Sequence, residues 1–415
     1  MQKILMPDVD SPAMRQGGAD VLSLALMDAR NHTLHLISQF EPEACVLDSA
    51  VHDVDRSSPP LWTLGHIGWF QERWVARHLQ RHWGRFCDPT AARLPSIEPR
   101  ADAWWDPEQM PQSQRWALNL PDRDAIKAYL LETLETTLEL LEKAKSDDDA
   151  LYFFRLALFH EDQAGEALIT LAQTLGLPLG LSLPGPVLVQ APLSVPATRW
   201  ALGVSEAESG FSFDNERPAY QVQVPEFDID AQVVTWAQFV EFVDDGGYDR
   251  PELWHPDGWA WAQESAFKES RRAPRYVDQI GVASGAVMQD RFGTPRRMLG
   301  GQPAMHVSWW EADAWCRWAG RRLPSEVEWE VAAHSVVRRR FRWGDVWEWM
   351  GTTFQAYPDF TADPDRAYST AHFGTHKVLR GASFATRARM KHPKFRNFAL
   401  PGQDDIFVGF RSCSL

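Results

Sequence analysis

Cysteine is nearly absent from this 415-residue chain: there are four, Cys45, Cys87, Cys316 and Cys413, and none has CxxC spacing. That excludes a zinc knuckle and a disulfide framework, and implies reduced thiols in a cytoplasmic protein. Positive charge is also short, with 42 Lys and Arg against 56 Asp and Glu and a formal net charge of -14. Nucleic-acid binding needs clustered Lys and Arg, so that class of partner is excluded. No apolar run approaches the roughly 20 residues of a membrane helix, and no basic-then-apolar leader opens the sequence. The expected location is cytoplasmic, with no membrane partner. Internal repeats and low-complexity tracts are lacking as well.

Tryptophan, in contrast, is abundant at 20 residues. Its ring face attracts cations, quaternary ammonium groups above all, although many of these rings must serve as core. A hydrophobic share of 44% with 24% charged residues is that of a globular protein, and the length suits two or three domains. Acidity serves solubility in most proteins; here it also suits a cationic or neutral small substrate.

Apolar residues at helical spacing predict four helices. The first runs from Asp20 to Phe40 and the second from Pro59-Pro60 to about Trp83. The third starts at Pro121-Asp122, and the fourth runs from Ala150 to Leu175, stopping at Gly176. Such helices form an antiparallel bundle, expected over residues 1–176. Five prolines between Leu177 and Pro196 predict an extended connector over 177–199. Residues 200–415 alternate at strand period in places, as in Tyr220 to Val224, amid long irregular stretches. The fold class is therefore α+β multidomain, a helical bundle followed by a loop-rich α+β domain.

Two histidines stand on apolar helical stretches, His66 in LWTLGHIGWF and His160 in FFRLALFHEDQAGE. Imidazoles facing a bundle interior can hold iron, copper or zinc, or can be hydrogen-bonded core residues. Residue 164, one turn after His160 on the same face, is alanine. Glu161 and Asp162 face away from His160, and with Glu166 they read as supporting groups. His32, His35, His78 and His82 lie beside polar neighbours and read as solvated; His52 precedes a turn and has no assigned role.

The second half carries more specific signals: FSFDNERP at 211–218, PAMHVSWWEA at 303–312, WCRWAGRRLPSE at 315–326, VWEW at 346–349, LRGASF at 379–384, RNF at 396–398 and GFR at 409–411. This run resembles the formylglycine-generating-enzyme (sulfatase-modifying-factor) domain, a C-type-lectin-like α+β fold. The reactive cysteines of true formylglycine-generating enzymes have no counterpart in Ala385 to His392, so that chemistry is not expected. Joined to a DinB-like four-helix bundle, the domain makes nearly the whole chain resemble the ergothioneine sulfoxide synthases, non-haem iron enzymes that use O2 to attach sulfur to C2 of the hercynine imidazole.

The resemblance implies Fe(2+) as cofactor, hercynine and O2 as substrates, and three histidine ligands. Two of these fall on His66 and His160, and the third on Ala164. An engineered inactive variant, a degenerate site that only binds hercynine, and a two-histidine centre all remain open. Gln163 is implied beside the substrate imidazole, with Asn397 and Phe398 at its trimethylammonium and carboxylate end. An acid tyrosine is implied at Tyr357 or Tyr368. Ala399 stands where the family has an aspartate for its γ-glutamylcysteine donor, and residues 94–106 offer no arginine fork. A zwitterionic donor thereby loses charge-assisted anchors. The segments FRWGDVWEW, HKVLRGASFATR and HPKFRNF are similar to the selenoneine synthase branch, whose donor is a selenosugar, a 1-seleno hexose. A related synthase with another thiol donor is the alternative. Arg380, Arg396 and Arg411 are expected to hold the fold through ion pairs.

Overall fold

The structure, a computed structural model, describes residues 8–40, 57–281 and 286–415. Cys45 and His52 lie outside the described residues. Four long helices build the first half: α1 (Ala19–Ser38), α2 (Pro60–Gln71), α4 (Arg123–Glu142) and α5 (Asp148–Thr174), with the short α3 (Ala101–Trp105) packed on α2. Their ends follow local chemistry. Pro59 and Pro60 open α2, where a missing N–H costs nothing. Asp122 and Asp147 cap α4 and α5 by accepting from Ala125 N and Ala150 N, each at 2.8 Å. Gly176, at φ 65°, lets the chain reverse so that Leu177 N donates to Ala172 O at 2.8 Å and closes α5.

The second helix is shorter than its sequence pattern suggests. After Gln71 it widens into one π-helical turn, Glu72–Ala76. Buried Glu72 accepts there from Tyr129 Oη (2.8 Å), Ser96 Oγ (2.6 Å) and Ile97 N (2.8 Å), which ties the following loop to the bundle. His78 then forms a β-bridge with Arg93 and is fully buried, so it is a core residue and not a solvated one.

One buried cation joins the four long helices. Arg30 of α1 donates to both carboxylate oxygens of Glu161 (2.9 and 3.1 Å), to Gln71 Oε1 (2.6 Å) and to the Leu130 carbonyl. Removing one partner of such a pair typically costs about 3–5 kcal/mol, because a charge is left buried alone.

The second half is loop-rich. Its central sheet orders strands Asn397–Ala399, Lys377–Gly381, Trp347–Thr353 and Val408–Gly409, the last pair parallel. A second four-stranded sheet includes Leu193–Val195, so the end of the proline-rich connector already belongs to this half. Buried pairs Arg380–Glu330, Arg396–Glu326 and Arg411–Glu348 hold these loops together.

The halves are locked across α5. Arg389 donates to both oxygens of Asp162 (2.6 and 2.8 Å) and to Asp28 (2.9 Å), and Tyr152 Oη donates to Asp363 at 2.7 Å. Among the described residues no helix is long and apolar enough to cross a membrane.

Candidate functional site

His66 of α2 and His160 of α5 meet where the bundle faces the second half. Their Nε2 atoms are 3.2 Å apart. His66 Nδ1 lies 2.8 Å from the Trp105 carbonyl, which can only accept, so Nδ1 carries the proton and Nε2 keeps its lone pair. His160 is fixed by stacking on Phe70, with ring centroids 3.7 Å apart and planes at 6°. Burial pushes the His66 imidazole down to about 4 and His160 well below its ordinary value, so both rings are neutral.

The pair fits a transition ion. Imidazole binds such ions at about 2.1 Å, which sets two nitrogens on neighbouring octahedral or tetrahedral positions about 3.0 to 3.4 Å apart. The observed spacing falls in that window. Among the described residues no group of three or more His, Cys, Asp or Glu side chains is placed to hold a metal, so the protein offers these two imidazoles. Ala164 lines a 470 Å³ cavity beside them, together with Thr63, Arg115 and Ala167. A methyl group at 164 leaves that side of the nitrogens open to a ligand.

A second cavity, of 310 Å³, collects Gln163, Glu166, Trp347, Tyr368, Asn397 and Phe398. Gln163 Nε2 donates to Tyr368 Oη at 3.0 Å. Burial pushes the Tyr368 hydroxyl up, so it stays protonated. Glu166, one turn past Gln163, accepts from Ser383 Oγ (2.5 Å), Trp347 Nε1 (2.8 Å) and Thr386 Oγ1 (2.8 Å). Its carboxyl is nevertheless pushed up by burial. The arrangement is a buried carboxylate among aromatic rings, which suits an organic cation.

A third cavity, of 800 Å³, shares His66, His160, Tyr368 and Phe398 with the others and opens past Trp69 and Trp74. Arg73 and Arg115 stand on its wall. Both lie outside residues 94–106, and nothing in their sequence neighbourhoods marks them. Arg73 faces Asp106 at 3.5 Å. Arg115 stacks on Trp62 at 3.7 Å and donates to Ser58 Oγ at 2.8 Å, and no carboxylate pairs with it among the described residues.

Tyr357 lines none of the three cavities. It is buried under the Arg396 guanidinium (4.0 Å), with its hydroxyl 3.4 Å from Glu326, and so packs against a core ion pair. Ala399 is buried opposite Lys377 in the sheet and lines none of them either. Trp347, of the VWEW motif, reaches the site through its indole N–H.

The chain matches the DinB superfamily over residues 21–173 and the sulfatase-modifying factor enzyme 1-like domain over residues 187–345 and 343–414. An N-terminal DinB helical domain is thus followed by an α+β domain of the formylglycine-generating-enzyme type. A hercynine oxygenase of Mycolicibacterium smegmatis is 32% identical over 453 residues, covering 96% of this chain and 98% of its own. The hercynine oxygenase of Mycobacterium tuberculosis is 29% identical over 94% of this chain and 97% of its own. A formylglycine-generating enzyme of Streptomyces coelicolor is 33% identical over 40% of this chain and 56% of its own.

Proposed function

Because this chain belongs to the hercynine oxygenase family, a DinB bundle joined to a sulfatase-modifying-factor domain, we propose that it is an iron(II)-dependent oxidoreductase of selenoneine biosynthesis, using O2 to join C2 of the hercynine imidazole to the selenium of a 1-seleno hexose. The observation that carries this reading is the pair of neutral imidazole nitrogens 3.2 Å apart, which line both the 470 Å³ and the 800 Å³ cavities, with the aromatic, carboxylate-bearing cavity sharing Gln163 with the first and Tyr368 and Phe398 with the second. Iron(II) held by His66 and His160 would supply the one-electron chemistry that O2 requires.

The chain's own groups do the rest. Trp347, Phe398 and the Glu166 carboxylate receive the trimethylammonium group, each aromatic contact contributing about 0.5–2 kcal/mol. Gln163 hydrogen-bonds the imidazole edge and orients C2 toward the two histidines. Joining C2 to selenium breaks one C–H and one Se–H bond, and O2 takes up the two electrons and two protons as hydrogen peroxide; Tyr368 Oη, hydrogen-bonded to Gln163, would pass a proton to the reduced oxygen. The larger cavity takes the donor.

A specific observation favours a second reading. Arg115, unpaired by any carboxylate among the described residues and lowered by burial to about 10, suits an anionic group. That would point to an ergothioneine-type synthase with a carboxylate-bearing thiol donor. Incubating the iron-loaded protein with hercynine, O2 and either 1-seleno-β-D-glucose or γ-glutamylcysteine, followed by mass spectrometry, separates the two. The selenosugar adduct is the expected product. Turnover of the peptide alone would replace the first reading with the second, and no O2 consumption with either donor would leave a protein that only binds hercynine.

A further inference from the structure

Asp365 sits half-buried on the wall of the 800 Å³ cavity, between Pro364 and Arg366. No hydrogen bond or ion pair reaches its carboxylate among the described residues, whereas Asp106 on the same wall is engaged by Arg73 at 3.5 Å and by the Glu108 amide at 3.0 Å. Burial, with the Asp214 carboxylate behind it, pushes the Asp365 carboxyl up to about 7. Such a group is costly to leave without a partner, and a ligand that donates to it recovers that cost.

The rest of the wall defines the donor that fits. Trp69, Phe70 and Trp74 make it apolar on one side, their faces already stacked on His66, His160 and Phe153. At the Asp365 corner Asp214 and Asp363 raise its carboxyl and Arg73 lowers it, while Arg217 pairs with Asp363 at 2.5 Å, which leaves Asp365 itself as the carboxyl that faces the cavity without a partner among the described residues. A hydroxylated neutral ring can place C–H groups against this apolar side and O–H groups on the carboxyl. A donor that brings its own carboxylate to this corner meets repulsion instead.

We propose that Asp365 selects the donor: its carboxyl accepts hydrogen bonds from the hydroxyls of a neutral polyol-type donor and turns away donors that carry a carboxylate there. This rests on reading the larger cavity as the donor site, and it assigns the preference to a residue outside the metal and hercynine contacts.

The test uses 1-thio-β-D-glucose and γ-glutamylcysteine as probes on the full chain, with Asp365→Asn and Asp365→Ala. Binding to the metal-free protein is read from tryptophan fluorescence, since Trp69 and Trp74 line the cavity. Turnover is read on the iron-loaded enzyme with hercynine. In Asp365→Ala the thiosugar Kd and KM should rise about tenfold with kcat little changed, the size expected for a lost hydrogen bond. Asp365→Asn, which keeps an acceptor oxygen, should lose less, and the peptide KM should fall in both. Thiosugar Kd and KM within about twofold of wild type in both variants, or an equal loss of kcat for both donors at unchanged KM, would overturn the assignment. A wild-type enzyme that takes the peptide and no sugar would instead sink the selenosugar reading itself, so the two failures are distinct.

Discussion

Replacing Gly65 by alanine should damage the metal site without touching a ligand. Gly65 precedes His66 on α2, and a Cβ there would fall inside the indole of Trp105. That indole is 1% exposed and packs on Tyr129 with centroids 5.1 Å apart, so it cannot swing into free space. Overpacking of this kind costs about 1–3 kcal/mol. The helix gains about 1 kcal/mol from alanine over glycine, leaving a net loss of about 0–2 kcal/mol. The larger effect is on chemistry. Trp105 must shift, and its carbonyl is what holds His66 Nδ1 at 2.8 Å. Losing a hydrogen bond that orients a metal-binding imidazole typically lowers affinity about 10- to 100-fold. Anaerobic competition titration with Fe(II) or Co(II), alongside urea unfolding, reads both quantities. Gly165→Ala is the control: a Cβ there meets His32 and Leu36 at an ordinary 3.7 Å, so metal affinity should hold and stability should rise slightly. Wild-type metal affinity in Gly65→Ala would show that the Trp105 carbonyl does not orient His66, and the packing argument would fall with it.

Ala164→His should add a third imidazole on the open side of the pair and tighten Fe(II) binding by about tenfold or more, the scale on which groups at a metal site act; an unchanged Kd by the same titration would mean that this side does not face the metal. Glu166→Gln should weaken hercynine binding by about tenfold in calorimetry by removing the buried counter-charge, and equal affinity would place the trimethylammonium group elsewhere. Burial, helped by Arg93, holds buried His78 at about 4, below the ordinary histidine value of about 6.5. The unfolded chain therefore takes up a proton that the folded chain refuses, so the contribution of His78 is fully present above pH about 6.5 and is lost as pH falls toward about 4. Urea midpoints of His78→Gln should show a shallower loss between those limits than wild type, by on the order of 2–3 kcal/mol; parallel curves would refute the shift.

Much of the architecture was legible because it is written in local pattern. The helix ends at Asp122 and Gly176 depend on a few neighbouring residues, and α4 begins and α5 ends close to where those residues say. The second helix shows the limit of that reading. Its apolar run continues past Gln71, yet a buried glutamate bonded to Tyr129, Ser96 and Ile97 pulls the chain out of the α-helix, and those partners lie 24 to 57 positions away. His78 misleads for the same reason, since its polar sequence neighbours say nothing of the Arg93 bridge that buries it.

The sequence by itself determined that two imidazoles stand on apolar helix faces with an alanine one turn beyond, that an aromatic-rich motif domain follows, and that Arg380, Arg396 and Arg411 serve the fold. Only the tertiary structure decided that those imidazoles come within 3.2 Å of each other, that Tyr368 and not Tyr357 lines a cavity with them, and that Arg73, Arg115 and Asp365 stand on the wall beside them. The physical reason is range. Helix periodicity and capping act over a few residues, whereas burial, charge pairing and cavity shape join groups as far apart as Glu166 and Ser383, whose meeting no spacing in the chain encodes.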